Sequence, residues 1–62
     1  MDKLDEKDVK RCKQLLSEIN DLFYAIQLEL YHGDYVSRKY LKEKMSGITT
    51  DIKCFNSVLE EE

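Results

Sequence analysis

The sequence predicts an all-α fold, a two-helix antiparallel hairpin with a tight turn near Gly33-Asp34, and three observations lead there. Val9, Cys12, Leu16, Ile19, Phe23, Ile26 and Leu30 recur at alternating steps of three and four. Leu41, Met45, Ile48, Ile52, Phe55 and Leu59 repeat that rhythm after the turn, and the chain contains no proline. Such steps line side chains up on one stripe of a helix. In an antiparallel hairpin the facing positions sum to a constant. Pairing Ile26 with Leu41, Phe23 with Met45, Ile19 with Ile48, Leu16 with Ile52, Cys12 with Phe55 and Val9 with Leu59 gives 67 or 68 each time. The stripes are in phase about the turn and define the expected seam.

Helix one is expected over about residues 6–31. Asp5 can cap the first free amides, Glu6 and Asp8 sit at the positive end of the helix dipole, and Leu4 has staple spacing to Val9. The turn falls at 32–37, where Gly33 supplies the left-handed residue that commonly ends a helix. Helix two is expected over about 35–60, with two competing caps. Asp34 would start it at Tyr35, and Ser37 would start it at Arg38. Gly47 lies inside this helix at a cost of ~1 kcal/mol relative to Ala. Either it is tolerated on a solvated face, or its missing side chain lets another helix approach, helix one near Asn20 or an external partner. No Ser/Gly-rich linker or low-complexity tract divides the chain, so residues 1–62 read as one helical hairpin domain.

Length and charge narrow the function. A chain of 62 residues buries only ~60% of the surface its unfolded form exposes, and two helices share a single seam. A partner or self-association is therefore expected. A net charge of -3 with Lys, Asp and Glu interspersed gives no field that would draw nucleic acid or an anionic membrane. The basic run Arg38-Lys39-Tyr40-Leu41-Lys42-Glu43-Lys44 spans barely two turns and contains Glu43, so it reads as a solvated face. The acidic start Met1-Asp2-Lys3-Leu4-Asp5-Glu6 carries neither a secretory signal nor a transit peptide. No segment approaches the ~18 consecutive apolar residues of a membrane span. The expected location is cytoplasmic. Cys12 and Cys54 fall near one layer, but packed axes lie ~8–10 Å apart whereas a disulfide needs Cα atoms within ~7 Å. Two reduced thiols are expected.

Reactive chemistry finds little footing. His32 is the only histidine, and a zinc site needs about four ligands. The carboxylates of Asp5, Asp8, Glu18, Asp21 and Glu29 fall at outward positions, without the cleft that would tune one of them for proton transfer. Neither a Gly-rich phosphate loop nor a nucleophile motif is present. The reading is a non-enzymatic binding module with no catalytic residue, no metal, no cofactor and no small-molecule substrate.

Apolar groups nevertheless remain once the expected seam is filled. Tyr24, Leu28, Tyr31 and, if the helix continues through the turn, Tyr35 follow one another on the far side of helix one, Leu15 and Leu22 flank the seam, and Tyr40, Gly47 and Cys54 line helix two at heptad spacing. A helix apolar on more than one stripe is usually covered by something else. Leu15, Leu22, Tyr24, Leu28, Tyr31, Tyr40 and Gly47 are accordingly the candidate partner-binding residues.

From about Leu15 to Val58 the chain resembles the small YscE-like co-chaperones of type III secretion needle subunits. The likeness lies in a long amphipathic first helix ending at Gly33-Asp34, and a second helix with a small residue followed by spaced aliphatics, Gly47, Ile48 and Ile52. The resemblance implies a cytoplasmic protein that pairs with a tetratricopeptide-like, helical-repeat chaperone. Together they would keep the needle subunit monomeric until export. Two other readings stand beside it: a homodimer in which two hairpins form a four-helix bundle, and a small regulator that docks on a kinase, polymerase or transcription factor and occludes it.

Overall fold

The computed structural model describes residues 3–60; Met1 and Asp2 of the acidic start, with Glu61 and Glu62, lie outside it. The described chain is two helices, α1 (Glu6–His32) and α2 (Arg38–Glu60), folded against each other into a rod of 50 × 15 × 13 Å. Among the described residues there is no strand, and no helix is long and apolar enough to cross a membrane.

Local chemistry accounts for the boundaries. Asp5 has extended backbone, and its carboxylate accepts the Asp8 amide at 2.8 Å, so α1 opens where the sequence places its cap. Ser37 prevails over Asp34 at the second start: its Oγ accepts the Tyr40 amide at 3.2 Å and its carbonyl accepts the Leu41 amide at 3.1 Å. The Ser37 amide in turn donates to Glu29 Oε2 at 3.0 Å, which ties the start of α2 to the last turn of α1.

Gly33 closes α1 by a different route from the expected one. Its φ of -78° is extended, not left-handed, and its amide donates to the Glu29 carbonyl at 3.3 Å. A Cβ built there would lie 2.7 Å from that carbonyl oxygen. Glycine is needed for close approach of backbone to backbone, not for the sign of φ.

The seam is also displaced. On α1, Cys12, Leu15 and Ile19 are buried and Leu22 and Ile26 half-buried; on α2, Ile48 and Asp51 are buried and Leu41, Lys44, Gly47, Phe55 and Val58 half-buried. Cys12, Ile19, Ile26, Leu41, Ile48 and Phe55 occupy the seam as expected. Val9, Leu16, Phe23, Leu30, Met45, Ile52 and Leu59 do not, with exposures from 37% for Val9 to 54% for Leu59. At alternate layers the preceding residue replaces each of them, which turns each helix by roughly 50° about its own axis at 3.6 residues per turn.

The cause is visible at Gly47. Leu15-Leu16 and Leu22-Phe23 are apolar doublets, so two phases of α1 offer aliphatic contacts. Only one phase sets Leu22 into the space left by the missing side chain of Gly47, where a Cβ would stand 3.2 Å from Leu22 Cδ1. The close approach therefore belongs to α1, at Leu22 instead of near Asn20. Leu22 opposite Gly47 and Glu18 opposite Asp51 each sum to 69, one step from the expected register. Both cysteines are free thiols at the seam, Cys12 buried and Cys54 half-buried.

Candidate protein-docking face

Three of the residues expected to meet a partner, Leu15, Leu22 and Gly47, are occupied within the hairpin. Leu15 is only 3% exposed, Leu22 packs at Gly47, and Tyr40 is half-buried with Lys44 Nζ 5.1 Å from its ring centroid. That contact keeps the lysine's aliphatic stem against the helix while its ammonium sits over a π-face. The correction for Leu15, Leu22 and Gly47 follows from the rotation of the seam, which draws in the side that the expected phase left outside.

Tyr24, Leu28 and Tyr31 remain accessible, at 61%, 42% and 77%. They lie on the back of α1 beside a shallow indentation that also touches Gln27 and His32. Tyr24 and Leu28 also meet Tyr40 around a second shallow indentation at the turn end, beside Asp21, Ala25, Glu29, His32 and Gly33.

The larger apolar surface is one the sequence pattern assigned to the core. Val9, Leu16, Phe23 and Leu30 on α1 and Met45, Ile52 and Leu59 on α2 are exposed. The helices run antiparallel and each shifts toward its preceding residues, so both stripes emerge on the same broad side of the hairpin. In the observed register Val9 lies within one residue of the level of Leu59, Leu16 of Ile52, and Phe23 of Met45, forming rungs spaced by seven residues, about 10 Å. Leu30 extends the stripe toward the turn. At the turn end the surface dips between Leu41 and Met45, with Arg38 and Lys42 on its rim.

Charge is kept off the middle of this face. The chain is 37% Asp, Glu, Lys and Arg, yet helical geometry puts Asn20 and Gln27 beside the α1 stripe and Thr49 and Asn56 beside the α2 stripe. Thr49 Oγ1 donates to the Met45 carbonyl at 3.0 Å, so its hydroxyl is satisfied by its own helix and the methyl is left to face outward contacts. The nearest charges, Lys13 and Lys42, stand toward the two ends. Depletion of charge around exposed aromatic and aliphatic groups is the compositional mark of an interface core.

The opposite side is polar. Asp51 is 9% exposed and faces Glu18 across the helices. A hydrogen bond to Asp51 and then the charge of Asp51 raise the Glu18 carboxyl above its ordinary 4.5, with Arg11 pulling weakly the other way. Among the described residues no group of three His, Cys, Asp or Glu side chains is gathered to hold a metal.

The signal for the docking face was present in the two doublets and in Gly47. A stripe drawn through the largest side chains passes through Leu16 and Phe23; a stripe drawn through the residue that fits Gly47 passes through Leu15 and Leu22. Comparison with known proteins finds no family model, curated protein or solved structure that matches the chain.

Proposed function

We propose that this chain is a non-enzymatic protein-binding module that docks through the Val9–Leu16–Phe23–Leu30 and Met45–Ile52–Leu59 face. In its specific form the proposal is a cytoplasmic co-chaperone of the YscE-like kind, pairing with a tetratricopeptide-like chaperone to keep a type III secretion needle subunit monomeric. The specific form rests on the sequence resemblance. The general form rests on one observation: seven large apolar side chains stand exposed on one side of the hairpin, while the seam beneath accepts Asp51 and Lys44 at its edge. A fold serving only its own stability would invert that arrangement. Paired helices with an apolar rung every two turns suit a helical-repeat partner, whose own helices present ridges of the same spacing.

The test is binding of the full chain to a purified tetratricopeptide-type needle-subunit chaperone. Leu16→Glu and Ile52→Glu should each weaken it by about 30-fold or more, the loss expected of an interface hot spot near 2 kcal/mol. Leu28→Glu, on the back of α1, should leave it unchanged. Wild-type binding that survives both changes on the stripe overturns the docking face, and a wild type that does not bind overturns the co-chaperone form.

A further inference from the structure

We infer that in the absence of another partner the apolar face is covered by a second copy of this chain, two hairpins closing into a four-helix bundle. The inference rests on the docking face proposed above and assigns its occupant in the free state.

The burial inside one hairpin is small. Among the described residues the buried apolar ones are Cys12, Leu15, Ile19 and Ile48, and none has a side chain below 2% exposure. A second seam of the same kind is what this core lacks. Seven large apolar side chains, exposed by 37% to 54%, line one broad side of a rod 50 Å long and 15 Å wide. A side of that length and width, with Asn20, Gln27, Thr49 and Asn56 on its flanks, is of the size of the ~800 Å² that each partner contributes to a stable interface.

The face is also self-complementary. A two-fold axis along the rod sets α1 of one copy against α2 of the other, again antiparallel and at the same level. Because the rungs are level to within one residue, Leu16 then falls beside Ile52 of the second copy, and Phe23 beside its Met45. Every rung on one chain finds the matching rung on the other, as an isologous contact requires. No like charges oppose each other in the middle, since those flanks are uncharged. The chain's own copy is the one occupant present wherever the chain is, so a chaperone-type partner binds by displacing it.

The chain has no tryptophan, which allows a single reporter. Phe23→Trp and, as control, Leu28→Trp are prepared in the full chain and followed by fluorescence and sedimentation equilibrium across the micromolar to millimolar range. The expected mass rises from 7.4 kDa to twice that value with concentration, and emission from Trp at position 23 shifts to shorter wavelength over the same range while emission from position 28 stays constant. Leu16→Glu and Ile52→Glu, introduced into the Phe23→Trp chain, should hold the mass at one chain and abolish the shift. A wild-type chain that stays monomeric to millimolar concentration overturns the inference. So does a dimer in which the position 28 reporter moves and the position 23 reporter does not. Monomeric chain that still binds the chaperone in a Leu16-dependent way removes the second copy and leaves the docking proposal standing.

Discussion

At Gly33 and Gly47 the same residue type is held by two different constraints. At Gly33 an added Cβ would meet a backbone carbonyl oxygen at 2.7 Å, and that oxygen is fixed in the last turn of α1. At Gly47 the neighbour is the end of the Leu22 side chain at 3.2 Å, which can give by a few tenths of an ångström. Gly33→Ala should therefore destabilise the hairpin, by on the order of 1–3 kcal/mol for an overpacked contact. Gly47→Ala should come out within about 1 kcal/mol of the wild type, because relief of the helix penalty of glycine offsets the tight contact. Urea denaturation of the two variants side by side measures the difference; a larger loss at position 47 would contradict it.

Glu18 makes stability depend on pH. Its carboxyl titrates above its ordinary 4.5 in the folded chain because Asp51 hydrogen-bonds to it and repels its charge. The folded state therefore holds the proton more tightly than the unfolded state does. This contribution is complete below 4.5 and fades as pH rises through the raised value. The melting temperature should fall across that window in the wild type and less steeply in Glu18→Gln, which keeps a hydrogen-bonding group and cannot ionise. Parallel profiles would remove the pair as the cause.

Among the helices, the element boundaries were legible because caps are local: Asp5 and Ser37 act through atoms three residues away. Ser37→Ala should cost about 1 kcal/mol and Asp34→Ala little, as read by thermal melting followed by circular dichroism. Equal losses would reopen the start of α2. The rotational phase of each helix was harder to read. A stripe of period 3.5 and its neighbour one residue back share Cys12, Ile19 and Ile26, so the pattern alone cannot separate them. Side-chain size favours Leu16 and Phe23; the fit of Leu22 at Gly47 favours the other phase. That fit is a contact between residues far apart in sequence, and a period cannot register it. The same shift of phase takes Leu15, Leu22 and Gly47 into the seam, while Tyr24, Leu28 and Tyr31, farther round α1, keep their exposure.

Over the whole molecule, the rod has one seam and one exposed apolar face, so the proposed binding is linked to stability. Anything that covers the face adds its binding free energy to folding. The central claim is that Leu15 belongs to the seam and its neighbour Leu16 to the docking face. Truncating a buried leucine to alanine costs ~2–5 kcal/mol, and a charge there costs more. The most direct measurement compares Leu15→Glu with Leu16→Glu by far-ultraviolet circular dichroism, each against wild type at the same dilute concentration. Leu15→Glu should lose the helical signal, and Leu16→Glu should keep that of the dilute wild type. A helical Leu15→Glu beside an unfolded Leu16→Glu would return the seam to the other phase and contradict the docking face.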